Sequence, residues 1–306
     1  MKSLKLEGII PATVLPLTSR HEIDEDSLVE YIRWLAGFGI GGLAVNVDTG
    51  EGPHLHRGEK VRVLRAVKEA VGGRVPVIAG LQASFTSQAV EIARETKEAG
   101  ADGFLVFPIS DFAGEPLPPE IPYGYHKAIA EATGVPIVLF QLQKALGGVE
   151  YEPECLARLT EIEEVVAIKE ASFDALRFLK TLKLVRSASP EVAFLTGNDN
   201  FIYESMVMGA DGALIGFGTL ATDLQVEMFN LVRQSRFEEA SEIAGRVQPL
   251  ADAIFAPPVR NYRARTKEAL VMLGVLRQAH MRPPLTPIGR REREAVREAL
   301  KKAELL

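Results

Sequence analysis

The chain has 306 residues, of which 47% are hydrophobic and 25% charged, so it can bury one large core or two modest ones. A formal net charge of −6 and the lack of a basic run argue against nucleic acid and against an anionic membrane surface as partners. The single cysteine, Cys155, excludes an internal disulfide, and no stretch approaches the roughly 18 unbroken apolar residues of a membrane span, so we expect a cytoplasmic protein.

Short apolar runs recur along the chain, and each is followed by an amphipathic segment. The runs are nearly continuous in hydrophobicity, which is typical of strands in a parallel sheet that is covered on both faces. We count eight of them: residues 8–17, 42–47, 75–80, 103–108, 135–141, 165–170, 192–198 and 212–217.

The segments between the runs have helical periodicity. In the first of them, Leu28, Ile32 and Leu35 fall on one face, as they would in an amphipathic helix. The segment after the second run stops at Gly72 and Gly73, a typical helix end.

Eight strand–helix units in this length of chain predict a (β/α)₈ TIM barrel, for which about 250 residues is typical. A doubly wound sheet is less favoured, because no GxGxxG motif follows the first strand. Beyond residue 221 the pattern is helical only. We therefore predict a barrel domain over residues 1–233 and a C-terminal helical extension over residues 234–306 that packs on the barrel.

A lysine, Lys169, ends the sixth apolar run. Because side chains alternate along a strand, Val165, Ala167 and Lys169 should face the barrel interior, at the carboxyl rim where barrel enzymes place their reactive residues. A desolvated, neutral amine at that place can attack a ketone to form a Schiff base. An ion pair with Glu170 or Asp199, or a side chain that reaches water, explains the residue equally well from the isolated sequence.

Six motifs occur in order along the chain: VNVDTGEGPHL, VPVIAG, GADGFLVFP, VPIVLFQ, AIKEAS and LTGNDNFIYESMVMGADGALIGFGTLA. Together they resemble the dihydrodipicolinate synthase / N-acetylneuraminate lyase family of class I aldolases, over roughly residues 6–300. The resemblance implies a (β/α)₈ barrel with a helical extension, usually a homotetramer. It also implies that Lys169 forms an imine with pyruvate or another 2-keto acid, so that no separate cofactor is needed.

The resemblance implies further site residues. Thr49, in a glycine-containing loop with Gly50, matches the threonine that holds the keto-acid carboxylate. Ile215 matches a residue that offers its carbonyl near the site, and Gly197 leaves room at the rim. Two nearby histidines lack further ligands at metal spacing, so we expect no metal.

The chain departs from the family pattern where protons are transferred. Phe140 stands where the family has a tyrosine in strand five, and Ser110 where a second tyrosine comes from a neighbouring subunit. Asp48 stands in place of the first threonine of the loop, so we predict that it acts as general acid and base. The arginine that binds the second substrate's carboxylate falls near Ala145, and Lys144 is a possible substitute.

The sequence therefore predicts a Schiff-base lyase of the aldolase or dehydratase type, with Lys169 and Asp48 as catalytic residues and Phe140 packing over the imine. Gln141, with Gln143, Ser110 and Asp111, should line an outer pocket suited to a neutral or hydroxylated substrate tail. Two alternatives stay open: a barrel that binds keto acids without catalysis, and an enzyme in which the lysine clamps an anion without forming an imine. A homo-oligomer, either dimer or tetramer, is expected.

Overall fold

The computed structural model describes residues 4–306, with the side chain of Ala145 excepted. Eight parallel strands form one sheet in the order β1-β8-β7-β6-β5-β4-β3-β2, and a parallel bridge between Ala12 and Ala44 joins the first strand to the second. The strands are β1 (Gly8–Pro11), β2 (Leu43–Val45), β3 (Val77–Leu81), β4 (Gly103–Val106), β5 (Ile137–Leu142), β6 (Val165–Ala171), β7 (Ala193–Thr196) and β8 (Gly212–Ile215). The predicted (β/α)₈ barrel is confirmed.

One helix follows each strand and covers the outside of the barrel. These helices are α1 (Glu25–Leu35), α2 (Arg57–Val71), α3 (Thr86–Glu98), α4 (Glu120–Thr133), α5 (Pro153–Leu159), α6 (Ala175–Ala188), α7 (Ile202–Val207) and α8 (Thr222–Arg233). Local signals set their ends: Asp24 caps α1 by accepting a hydrogen bond from the Ser27 amide at 3.1 Å, and Gly72 ends α2 in a left-handed conformation at φ 59°.

Three further helices form the C-terminal extension: α9 (Phe237–Phe255), α10 (Tyr262–Met272) and α11 (Arg290–Lys302). The predicted boundary at residue 233 coincides with the end of α8. Val296 and Leu300 of α11 belong to the same hydrophobic cluster as Leu28 and Ile32 of α1, so the extension and the barrel share one core. The division into two domains therefore stays a prediction.

Candidate active site

The rim at the carboxyl ends of β5 and β6 carries Lys169 on its inner face. Phe140 of β5 pairs with Lys169, and the next pair is Gln141 with Glu170. Because side chains alternate, Lys169 and Phe140 point into the barrel, whereas Gln141 and Glu170 point outward towards the helices. The register thus decides which polar side chains can reach a cavity at the barrel mouth.

The Lys169 amine has no ion-pair partner within residues 4–306, and it lies 4.5 Å from the centroid of the Phe140 ring. Glu170, one of its expected partners, instead accepts hydrogen bonds from Gln141, Ser172 and Asn198 on the other side of the strand. Burial lowers the pKa of the Lys169 amine to about 8, against the opposing influence of Asp199 and Asp48. Roughly a tenth of the amine is therefore neutral, and nucleophilic, at pH 7, far more than for a lysine in water.

Two glycines give this lysine and its neighbours room. A Cβ at Gly197, after β7, would lie 2.6 Å from Cε of Lys169, so any side chain there would displace the amine. A Cβ at Gly216, after β8, would lie 3.2 Å from Oγ1 of Thr49 and 3.4 Å from a ring carbon of Tyr262. Both glycines line the cavity.

Asp199 is a buried carboxyl in the same cavity, and it was considered in the sequence only as an ion-pair partner. Its Oδ1 accepts a hydrogen bond from the Phe217 amide at 2.9 Å. Burial raises the pKa of Asp199 to about 6, while that amide and Lys169 oppose the shift. A carboxyl and an amine whose pKa values move towards neutrality in one cavity are typical of groups that exchange protons.

The loop after β2 brings Thr49 and Asp48 to the cavity, while the predicted Gly50 and Ile215 do not line it. A Cβ at Gly50 would lie 2.9 Å from the Thr13 carbonyl, so this glycine permits close packing against the segment after β1. The Ile215 carbonyl accepts a hydrogen bond from the Ala12 amide at 2.9 Å and so belongs to the barrel ladder. Ile215 does not line the cavity, whereas the next residue, Gly216, does, and a role for the Ile215 carbonyl in the site stays a prediction.

Tyr262 and Arg263, at the start of α10, were missed in the sequence. The Tyr262 hydroxyl lies 2.9 Å from Oδ2 of Asp48 and 3.3 Å from Oγ1 of Thr49. Arg263 forms an ion pair with the Asp48 carboxylate, and its Nε donates to the Asp48 carbonyl at 2.6 Å. Burial and the Asp48 charge raise the pKa of the Tyr262 phenol well above its usual range, which keeps it a neutral hydrogen-bond donor. The only sequence signal was a tyrosine–arginine pair shortly after Pro257 and Pro258.

The residues predicted to line the outer pocket do not do so. Gln141 is fully buried behind β5, where it bonds to Glu170, Thr181 and the Tyr151 amide at 3.2 Å each, because its side chain faces opposite to Phe140. Ser110, Asp111 and Gln143 also lie outside the cavity lining. These four side chains therefore do not form the pocket surface from which a neutral or hydroxylated substrate tail was expected.

The predicted substitute for a carboxylate-binding arginine is also wrong. Lys144 is exposed, forms an ion pair with Glu115 and does not line the cavity. The side chain of Ala145 lies outside the described part of the chain.

The cavity has a volume of about 370 Å³. Within residues 4–306, no group of three or more His, Cys, Asp or Glu side chains is arranged to hold a metal ion. His56 lies at the start of α2, as expected from the sequence. Over the same residues no helix is both long and apolar enough to cross a membrane.

The fold and the site together define the class of protein. It is a (β/α)₈ barrel enzyme whose candidate nucleophile, Lys169 on β6, lies with Thr49 and Tyr262 around one cavity at the carboxyl rim. The chain belongs to the dihydrodipicolinate synthetase family, whose model matches residues 5–303. The resemblance noted in the sequence is thereby confirmed.

Individual relatives agree with this assignment. A 4-hydroxy-tetrahydrodipicolinate synthase from Kosmotoga olearia is 30% identical over 98% of this chain and 99% of its own. The crystal structure of a dihydrodipicolinate synthase from Thermotoga maritima superposes with a TM-score of 0.89 at 27% identity, covering 98% of this chain and 99% of that one. A dihydrodipicolinate synthase from Acinetobacter baumannii, solved in complex with pyruvate, has a TM-score of 0.87 at 27% identity and covers 99% of this chain and 100% of its own.

Proposed function

We propose that the protein is a Schiff-base lyase in which Lys169 forms an imine with pyruvate or another 2-keto acid. The observation that carries the proposal is an amine with no ion-pair partner in the described chain and a pKa lowered to about 8, in a rim cavity of an enzyme fold. The family match supports the reaction class, and pyruvate in the Acinetobacter baumannii structure supports the ligand.

Imine formation moves two protons from nitrogen to oxygen. Overall, the Lys169 ammonium and a ketone give a protonated imine and water: the nitrogen gives up two of its three protons, and the ketone oxygen gains both as it leaves as water. We assign this transfer to Asp48 acting through the Tyr262 hydroxyl, because the phenol bridges Asp48 and Thr49 at the cavity wall. Thr49 holds the substrate carboxylate, and Phe140 packs over the imine. The protonated imine then withdraws electrons, so that a C3–H or C3–C4 bond can break.

The substrate carboxylate needs a hydrogen-bond donor, and Thr49 in the cavity wall supplies one. Thr49 is buried with only 4% of its surface exposed, and its hydroxyl lies at the cavity wall. The reaction requires no separate cofactor, since the protonated imine formed on Lys169 itself accepts the electrons of the bond that breaks. Assembly into a homo-oligomer stays a prediction.

The test is covalent trapping. Incubation with pyruvate, reduction with borohydride and intact-mass measurement should show one adduct, which peptide mapping should place on Lys169. The rate of adduct formation should rise with pH up to about 8 and then level off, because only the neutral amine attacks and burial lowers its pKa to that value. A rate that is independent of pH between 6 and 8, or the lack of an adduct with pyruvate and with a second 2-keto acid, would contradict the proposal. Lack of any adduct would favour the alternative in which Lys169 only clamps an anion.

If protons pass through Asp48 and the Tyr262 hydroxyl, removing either group should slow proton transfer. Asp48→Asn and Tyr262→Phe should each slow exchange of the pyruvate methyl protons in D₂O at least about tenfold, since transfer by a positioned group contributes 10²–10⁴ in rate. Exchange measured by proton NMR follows imine and enamine formation without a second substrate.

Asp111→Asn is the matched control, because Asp111 lies outside the cavity lining and should leave the exchange rate unchanged. Unchanged exchange in Asp48→Asn would refute its role. A large loss in Asp199→Asn alone would move the proton route to Asp199.

A further inference from the structure

The cavity above Lys169 lies between two apolar walls. One comes from the ends of β4, β5 and β6 and presents Phe107, Leu142 and Phe173; the other comes from the extension and presents Phe255 and Val259. In an eight-stranded barrel β1 stands opposite β5. The extension contacts the loops after β2 and β8, the two neighbours of β1, so its wall faces the wall from β4, β5 and β6 across the barrel mouth. The part of a bound substrate that extends from Lys169 towards solvent passes between these two walls.

Aromatic rings dominate both walls. Phe107 packs edge-to-face on Phe140 with centroids 5.0 Å apart, and Phe255 stacks on Tyr262 with centroids 5.0 Å apart and 18° between the ring planes. Flat apolar surfaces of this kind favour flat apolar ligands, which gain both area burial and aromatic contact.

Phe173 is held in the wall by a strained backbone. Its φ is 60°, a left-handed conformation that is unfavourable for a bulky residue by on the order of 1–3 kcal/mol. The Phe173 amide donates to Oδ1 of Asn198 at 2.6 Å, and Asn198 is itself fixed by donating to Oε2 of Glu170 at 2.8 Å. The buried network behind β6 therefore maintains a conformation that turns this ring towards the cavity.

Charge in the cavity is concentrated near the lysine and the loop after β2. Its only carboxylates are Asp48, which pairs with Arg263, and Asp199, which is buried beside Lys169. Arg260, which follows Val259 on the extension wall, also lines the cavity and is exposed at its rim. Phe107, Leu142, Phe173, Phe255 and Val259 carry no charge, so away from Arg260 the walls offer little to hydrate a polar tail.

We propose that the natural substrate is a 2-keto acid, or the adduct of pyruvate with an aldehyde, whose chain beyond C4 ends in an aryl or similarly flat apolar group. The tail lies between Phe107, Leu142 and Phe173 on one side and Phe255 on the other. The inference rests on the proposed function, because the keto group must reach Lys169.

Borohydride trapping at graded concentrations tests the tail directly. The acids are 2-oxobutanoate, 2-oxo-4-phenylbutanoate and 2-oxopentanedioate, which share the keto-acid end and differ in the tail. We expect a half-saturating concentration for 2-oxo-4-phenylbutanoate at least about tenfold below that for 2-oxobutanoate, because the phenyl group is buried between the walls. We expect no gain for 2-oxopentanedioate.

Phe173→Gly should reduce the advantage of the phenyl compound over 2-oxobutanoate at least about fivefold, and glycine accepts the left-handed backbone so that the fold is kept. Phe85→Ala is the matched control: Phe85 is an exposed phenylalanine outside the cavity lining and should leave the preference intact.

The outcomes separate the two proposals. An adduct with 2-oxobutanoate but no gain from the phenyl group, or a tighter dicarboxylate, would overturn the aromatic tail and leave the imine proposal standing. A preference that persists in Phe173→Gly would overturn the role of this wall. No adduct with any of the three acids, nor with pyruvate, would overturn the proposed function and this inference with it.

Discussion

Lys169→Met should abolish borohydride trapping of 2-keto acids and reduce exchange of the pyruvate methyl protons at least about 10³-fold. Methionine keeps much of the length of the side chain but has no amine, so no covalent imine can form. The fold should survive, because the substitution removes an amine whose pKa is already lowered by burial and which has no ion-pair partner in residues 4–306. Intact mass after reduction and proton NMR in D₂O measure the two effects.

Lys60→Met is the matched control for this experiment. Lys60 is also a partly buried lysine whose pKa burial lowers, but its Nζ donates to Oε1 of Gln82 at 2.9 Å and it does not line the cavity. This variant should still form the adduct. An adduct of undiminished yield on the Lys169→Met protein would show that another amine reacts and would end the proposal.

Lys267→Met should destabilise the protein by about 3–5 kcal/mol, the largest change in stability that we expect from one substitution. Lys267 of α10 and Glu51 of the loop after β2 form an ion pair in which neither side chain is exposed. Nζ of Lys267 also donates to the His280 carbonyl at 2.7 Å, and the Arg282 amide donates to Oε2 of Glu51 at 2.8 Å. Removing the ammonium leaves the buried Glu51 carboxylate without its main partner. The remaining hydrogen bond from the Arg282 amide cannot by itself offset the desolvation of that charge.

Urea unfolding at pH 7 measures this loss. Lys301→Met is the control, since Lys301 pairs with Glu298 on the exposed face of α11 and should change the free energy of unfolding by no more than about 1 kcal/mol. The double variant Glu51→Gln with Lys267→Met should recover part of the loss, because it removes the unpaired charge. A loss below about 1 kcal/mol in Lys267→Met would show that the pair does not hold the extension on the barrel mouth.

The ion pair between Glu51 and Lys267 also explains how the candidate active site is assembled. Glu51 lies three residues after Asp48, and Lys267 lies five residues after Tyr262. The buried ion pair therefore fixes the loop that carries Asp48 and Thr49 against the helix that carries Tyr262 and Arg263. The extension is part of the candidate active site, and packing on the barrel is only one of its roles.

Strand alternation explains one correct and one wrong prediction. It places Lys169 on the inner face, as predicted, together with its neighbour in the sheet, Phe140. The same rule forbids Gln141 from facing the cavity, since it follows Phe140 directly on β5. That error was avoidable from the sequence, because it contradicted the periodicity on which the lysine prediction itself depended.

The sequence by itself determined the (β/α)₈ barrel, the helical extension, the family and the placement of Lys169 at the end of β6, because apolar periodicity and motif spacing are properties of neighbouring residues. Only the tertiary structure decided that Tyr262 meets Asp48 across 214 residues and that Asn198 holds Phe173 in a left-handed turn towards the cavity. Such contacts depend on how distant segments pack over the barrel mouth, and no local pattern of residue types encodes that packing.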